Sequence, residues 1–540
     1  MKKKMLAILL TAVTALSMLS GCGEKETGES GSLAAAGTER GAGGNGAADA
    51  GSGAGESGAV NPDAVITVAT TGGWDSLNPL ASTTQSADFV VNTIFENLVA
   101  MDENGELIPR LAQSWEVSED HTSATFHLAE NAMWTDGEPV TADDVVFTAM
   151  LLAKPELTTS RRLLMQQVAG TDSTGVELSA GSAEVTKVDD HTVTVQFKVP
   201  MTIETFFSEY SSFFVLPEHL LKDVSVSSIM EDDFWVNPVG CGPFIFDSQT
   251  PGETLTLRAN PDYYLGEIQF GTLVIRKVAA DGLLAAVMSG EVDLLPAGIA
   301  SLPNADYDAC SALENVTTLS IPACSFDYLA VNNKQLSDPR VRRGLAMLID
   351  KESLIQAVYG GRANRMDVNY GMENKWYNAD IVEEYGVKYD PEGGKALLEE
   401  AGFDFTQTLK IVVTSGSSNR RQEAVLIQQA FAQAGVNLEI QEADMATEMQ
   451  MMRDGEATFS TMGGGGMPPS KTDDHVNFYV TEGAFNLSGL TDTTYEELYN
   501  KIGAALTEEE IRQYADELQQ RECEEIPYLY LMSPNATVVY

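Results

Sequence analysis

Basic residues are scarce in this 540-residue chain: 33 lysines and arginines stand against 79 acidic residues, for a net charge of −46. A surface of that sign repels phosphate backbones and argues against nucleic-acid binding. It favours solubility and weakly favours cationic ligands, although a generally acidic surface accounts for it equally well. Cysteine and histidine are few, five of each. Cys241, Cys310, Cys324 and Cys523 lack metal-type spacing, and no histidine has a second His or Cys three or four residues away, so a structural zinc site is not expected. Cys310 and Cys324 could pair across a short loop or remain thiols. Past the N-terminus no stretch approaches the roughly 18 continuous apolar residues of a membrane span. Catalytic motifs are missing too: there is no G-x-S-x-G elbow, no H-E-x-x-H pair and no G-x-x-x-x-G-K-[ST] loop. The two G-x-G-x-x-G matches, Gly41 to Gly46 and Gly53 to Gly58, lie in low-complexity sequence with no strand before them. Neither an enzymatic activity nor a cofactor nor a metal site is expected. Internal repeats, which a purely structural surface protein would carry, are absent as well.

What is present begins with an export signal. Lys2, Lys3 and Lys4 precede an apolar run from Met5 to Met18, about 14 residues, too short to cross a bilayer. Leu19-Ser-Gly-Cys22 follows and resembles the bacterial lipobox, in which the cysteine receives lipid; the alternative is an ordinary signal peptide with a chance cysteine. Residues 23–59 are rich in Gly, Ala, Ser and Glu, with Leu33 the one aliphatic residue larger than Ala before Gly58. Such a segment cannot bury enough apolar surface to offset its ordering entropy. As a disordered tether it spans roughly 30 Å. Residues 1–22 are therefore read as a lipoprotein signal peptide and 23–59 as a tether, with Cys22 anchoring the protein to the outside of the cell membrane.

The remaining chain is long enough for two or three domains. Val65-Ile-Thr-Val-Ala69 predicts an opening strand, and the apolar spacing over 87–100 a helix. Segments 114–128 and 185–199 read as strand pairs. Thr141-Ala-Asp-Asp starts a helix, with Asp143 and Asp144 suited to its first turn rather than to a catalytic carboxylate pair. Later, strands at 254–258, 273–278, 328–332, 411–415 and 436–441 alternate with helices at 282–289, 339–349 and 419–434. Alternation of that kind predicts an α/β body, and ligands gather at the crevice beyond the strand ends of such sheets.

Several ordered segments carry a resemblance to a known family. They are Asn92-Thr-Ile-Phe-Glu-Asn-Leu-Val, Leu107-Ile-Pro-Arg-Leu-Ala-Gln-Ser-Trp, Trp134-Thr-Asp-Gly-Glu-Pro-Val, Pro238-Val-Gly-Cys-Gly-Pro-Phe, Asp338-Pro-Arg-Val-Arg-Arg-Gly and Glu525-Ile-Pro-Tyr-Leu-Tyr-Leu. Their order and spacing over about residues 64–535 resemble the family 5 extracellular solute-binding proteins, the oligopeptide, dipeptide and nickel receptors of bacterial ABC importers. On that helix after Asp338, Arg340, Arg342 and Arg343 are expected to pair with surface acids.

The resemblance implies an α/β, two-lobe periplasmic-binding-protein-like fold with an extra subdomain on the first lobe. Lobe I would comprise 60–100, 236–325 and 523–540, the extra subdomain 101–235, and lobe II 326–522. The chain ends at Val538-Val-Tyr540, somewhat sooner after Glu525 than family members usually do. The implied role is capture of a peptide or similar small polar ligand by lobe closure, and delivery by a monomer to a cognate ABC permease. A nickel chelate, an opine or an oligosaccharide is the alternative ligand within the family. The ligand-binding residues it suggests are Thr83, Gln85, Tyr328, Gly464, Gly465, Met467, Asp473, Asp474 and Asn486. In peptide receptors of the family a Gly-Trp motif leads to an Asp that pairs with the peptide ammonium. Here Gly464 stands about where the Trp is expected and Met467 or Pro468 about where the Asp is. Asp473 or Asp474 could supply the missing acid, or dependence on a free amine could be relaxed.

Overall fold

The computed structural model describes residues 61–540, apart from 75, 83, 103–105, 208–212, 324, 373, 465–475, 480–482 and 484–485. The opening run forms β1 (Asn61–Thr70), whose last residues Val68, Ala69 and Thr70 are fully buried. It lies parallel to β10 (Phe270–Lys277), which continues antiparallel to β9 (Thr254–Ala259) and β8 (Phe244–Thr250) in a four-stranded sheet of order β1-β10-β9-β8.

After β1 comes the helix Gln85–Ile94, shorter than the 87–100 periodicity predicts. The cause lies far along the chain. The Gly242 amide donates to the Ile94 carbonyl at 2.8 Å, and a Cβ added at Gly240 would sit 1.9 Å from that oxygen. The Gly-Cys-Gly turn thus packs its bare backbone against the helix end and diverts the chain. Past it, Val99–Met101 (β2) pairs with Leu107–Pro109 (β3) as a short hairpin.

The two expected strand pairs merge into one antiparallel sheet of order β4-β5-β7-β6, built from β4 (Ala112–Val117), β5 (Ser123–Leu128), β6 (Val185–Asp189) and β7 (Thr192–Gln196). On β7 the valines are buried while the threonines are partly exposed, as its alternation requires. Helix Ala142–Leu152 begins with a Thr141/Asp144 capping box. Buried Asp144 accepts from the Thr141 and Glu218 amides, each at 2.8 Å, and from the Trp134 indole at 3.3 Å, while Asp143 meets Lys187 at 2.7 Å. The two aspartates are a cap and an ion pair. One continuous apolar core runs from Val68, Phe95 and Leu255 through Phe126, Trp134, Phe207 and Trp235, so this subdomain and the first lobe share their interior.

The second sheet has order β13-β17-β12-β16-β14-β15, from β12 (Phe326–Val331), β13 (Ala363–Arg365), β14 (Thr408–Thr414), β15 (Asn437–Ala443), β16 (Phe459–Gly464) and β17 (Tyr528–Pro534). β14 runs parallel to both β15 and β16. Every residue of β12 is buried because helices cover both faces of the sheet. Leu329 and Val331 face helix Ser418–Ala434 on one side, and Phe326, Tyr328 and Ala330 face an aromatic cluster on the other. Finally β11 (Thr318–Ile321) pairs with β18 (Ala536–Val539). Residues 523–540, expected in lobe I as a block, are therefore shared between lobes. Strand β17 lies inside the six-stranded sheet, while β18 returns to the first lobe, where Val539 also bridges to Leu295.

The arginines after Asp338 divide differently from the expectation. Arg340 pairs with Asp338 at 2.7 Å. Arg342 is buried and donates to the main-chain carbonyls of Leu336, Ser337, Glu525 and Ile526, and Arg343 donates to those of Cys523, Tyr385 and Gly386. Arg342 fixes the end of helix Glu508–Glu525, where Ile526 takes the left-handed conformation at φ 47°, unusual for a β-branched residue. Cys310 is buried, and Cys324 falls outside the described residues.

Candidate functional site

The parallel strands of each sheet end where α/β sheets hold ligands. In the first lobe β1 gives way to Gly72-Gly73-Trp74 and the segment leading into helix Gln85–Ile94. Thr84 caps that helix by accepting from the Ala87 amide at 3.2 Å, and the Thr70 and Ser86 hydroxyls meet at 2.7 Å, tying strand end to helix start. Gln85 is exposed in the first turn. Trp74 is buried, and its indole N–H has no acceptor among the described residues.

In the second lobe β14 and β16 end at Thr414 and Gly464, beside the start of antiparallel β12. Three buried carboxyls and one guanidinium cluster there. Tyr359 donates to Asp327 at 2.6 Å, and Thr414 and Ser460 donate to Glu448 at 2.5 and 2.7 Å. Arg420 donates to the Thr414 hydroxyl at 3.4 Å and lies 3.9 Å from Asp327. Burial raises Asp327 and Glu448 above the usual carboxylate range, against the hydroxyls and Arg420. It raises Glu423 further, and the neighbouring Asp327 charge adds to the effect. A Cβ at Gly463 would stand 2.5 Å from an Arg420 nitrogen and 2.6 Å from an Asp327 oxygen. This glycine makes room for the protein's own charged cluster.

The expected ligand residues fall in separate places. Gly464 closes β16, paired with Phe326. Tyr328 is only 2% exposed; its ring packs 5.6 Å from Phe326 and Phe478 and 5.7 Å from Tyr528, which makes it part of the aromatic interior beneath the strand ends. Asn486 braces its own loop, accepting from the Ser488 hydroxyl and Leu490 amide at 3.0 Å and donating to the Leu490 carbonyl at 2.7 Å. Cys22, Thr83, Gly465, Met467, Asp473 and Asp474 lie outside the described residues.

Beneath helix Val476–Tyr479 sits a group the sequence did not suggest. The Tyr479 hydroxyl donates to Glu522 and lies 3.0 Å from the Tyr530 hydroxyl, the Asn369 amide donates to Glu522 at 3.0 Å, and the Asn369 side chain donates to Tyr499 at 2.8 Å. Full burial pushes the Glu522 carboxyl up to about 8. Arg420 left one legible trace: two arginines open helix Ser418–Ala434, where the macrodipole disfavours cations. Glu522 left none, being one acid among many in a solvated-looking helix.

Among the described residues the lobes meet at three places. Between β11 and β12 and between β17 and β18 the chain crosses twice, and the crossings brace each other: Ser325 donates to the Pro534 carbonyl at 2.9 Å and Ser533 to that of Ala323 at 2.6 Å. Arg362 lies 4.1 Å over the Tyr307 ring. Elsewhere Lys375 reaches Glu106 of the extra subdomain at 3.2 Å while also approaching Glu508 of its own lobe at 3.5 Å. Among the described residues no three His, Cys, Asp or Glu side chains are placed to hold a metal, and no helix is long and apolar enough to cross a membrane.

Comparison with known proteins adds the following. The profile of bacterial extracellular solute-binding proteins, family 5 Middle, matches residues 106–486. The dipeptide-binding protein of Escherichia coli K12 is 29% identical over 395 residues, covering 70% of each chain. Among solved structures, the ABC transporter substrate-binding protein CtaP of Listeria monocytogenes superposes with a TM-score of 0.77 at 22% identity, covering 89% of this chain and 94% of that one. The oligopeptide-binding protein AppA of Bacillus subtilis, bound to a nonapeptide, gives 0.67 at 20% identity with coverages of 89% and 95%. NikZ of Campylobacter jejuni, bound to Ni(L-His), gives 0.69 at 22% identity with coverages of 88% and 94%.

Proposed function

The chain belongs to the family 5 bacterial extracellular solute-binding proteins, with their α/β two-lobe fold, and from that premise we propose that it is a peptide receptor of an ABC importer. Peptide enters the crevice between the strand ends of the two lobes. The lobes close on it, since a ligand touching both walls binds the closed state more tightly and shifts the population towards it. The closed form is what the permease accepts. The protein binds and releases without catalysis, and lipid on Cys22 keeps it at the outer face of the cell membrane. The observation that carries the peptide reading is likeness over most of the chain to the dipeptide-binding protein of E. coli K12. The N-terminal Leu19-Ser-Gly-Cys22 sequence supports the anchor.

Mass spectrometry of whatever co-purifies with the protein, followed by calorimetric titration with that compound, tests the reading. Recovery of peptides supports it, and recovery of a non-peptide replaces it. The likeness to NikZ with Ni(L-His) favours one second reading, a metal chelate. In that case the chelator supplies the metal's ligands, and titration with nickel-histidine replaces the peptide titration.

A further inference from the structure

The segment between β1 and helix Gln85–Ile94 is folded without a strand or helix of its own across Ser76–Ser82. Its internal bonds among the described residues are few: the Asn78 amide donates to the Ser76 hydroxyl at 3.0 Å, the Leu80 amide to the Asn78 side chain at 2.9 Å and the Ala81 amide to the Asn78 carbonyl at 3.1 Å. Several of the ties that leave it run to the extra subdomain. Thr159 donates to the Leu80 carbonyl at 2.6 Å, Asn78 donates to the Met230 carbonyl at 3.2 Å, and Arg161 donates to the Pro79 and Ser82 carbonyls at 3.3 and 3.4 Å. Arg161 also forms an ion pair with Asp88 in the first turn of the following helix, and Ser82 donates to the same carboxylate. The arginine side chain is only 11% exposed and lies 5.4 Å over the Phe214 ring.

Next to it, Arg162 turns back into the subdomain, donating to the Leu152 and Lys154 carbonyls at 2.9 and 2.6 Å and to Leu157. One arginine stiffens the platform and its neighbour reaches from that platform to the crevice segment. A guanidinium suits the task because its planar fork of donors can satisfy two carbonyls and a carboxylate at once in fixed directions.

We propose that Arg161 is a positioning residue for ligand binding: the extra subdomain, through Arg161 and Thr159, holds residues 78–82 and 84–88 in the shape that meets the ligand. The subdomain's share in binding is then pre-organisation of the first-lobe wall, which lowers the ordering cost of association. The proposal rests on the reading that this segment lines the crevice.

Wild type, Arg161→Gln and Arg161→Lys, each as the full chain, are compared by hydrogen exchange and by titration with di- to penta-alanine peptides. Arg161→Gln is expected to exchange faster at the Leu80, Ala81 and Ala87 amides with no change along β9 and β10. It is expected to bind the peptides that wild type accepts about ten-fold more weakly, and Arg161→Lys is expected to recover part of both effects. Faster exchange with wild-type affinity overturns the proposal. So does exchange that rises throughout β4 to β7, since Arg161 then acts on the subdomain's stability and not on the crevice. Should no peptide bind wild type, the peptide reading fails on its own, and the co-purifying compound becomes the probe; full wild-type occupancy in Arg161→Gln then overturns the positioning role. Gln85→Ala tests the crevice reading separately.

Discussion

Glu522 offers the sharpest quantitative test of the second lobe. Its carboxyl is 3% exposed and is met by the Tyr479 hydroxyl and Asn369 amide. Tyr495, Tyr499, Tyr530 and Cys523 also face it, and none of these is a cation. Its pKa is raised from 4.5 to about 8. Between those limits the folded protein keeps a proton that the unfolded chain releases, so stability is full below about pH 4.5 and declines as pH rises to about 8. Three to four units at about 1.4 kcal/mol each amount to about 5 kcal/mol, an upper bound on the loss. Glu96, Asp327, Glu423 and Glu448 are raised as well and act in the same direction, so wild type alone cannot isolate the Glu522 share. Glu522→Gln can, because the amide keeps the shape and an acceptor but has no proton to lose. Urea unfolding followed by circular dichroism, at about pH 5.5 and about pH 8.5, should show wild type losing several kcal/mol between the two. The variant should lose markedly less and be the more stable protein at the higher pH. An equal loss in both proteins would refute the claim that Glu522 is held protonated.

Three further outcomes follow from the structure and sequence. Gly463→Ala should destabilise the second lobe by about 1–3 kcal/mol, since its Cβ collides with Arg420 and Asp327; a thermal melt that matches wild type contradicts this. With no acid at the family's expected position, N-acetylation of a bound peptide should weaken calorimetric binding by less than about 2 kcal/mol, the scale of an unpaired charge-assisted bond. A larger loss that Asp473→Asn or Asp474→Asn abolishes assigns the ammonium to one of those residues instead. Cys22→Ala should leave the protein unlipidated, either released from the membrane fraction or retained as precursor, and a processed protein with unchanged membrane association defeats the lipobox assignment.

The periodic parts of the chain were legible. The β1 run, the helix over 418–434, the strand alternation at 192–196 and the Thr141 cap all stand where local chemistry places them. What could not be read was decided by partners distant in sequence. The early stop at Ile94 depends on Gly240 and Gly242. Arg342 and Arg343 looked like surface cations and instead hold carbonyls roughly 180 residues away or, for Arg343, also near residue 385. Tyr328, which the family resemblance suggests as a ligand residue, stacks on Phe326 of its own strand, but the rings of Phe478, Tyr528 and Tyr530 that enclose it come from helix Val476–Tyr479 and β17. Charged residues in a chain with 79 acids carry little local information, and only the fold distinguishes Glu522 from the solvated glutamates around it.

The division of residues 528–539 between the lobes bears on how the protein folds. Strand β17 lies between β13 and β12 in one sheet, and β18 supplies the partner of β11 and a bridge to Leu295 in the other lobe. Both pairings are therefore non-local: β12 finds β17, and β11 finds β18, far along the chain. Closing these pairings joins segments about 200 residues apart, which is slow for reasons of loop entropy.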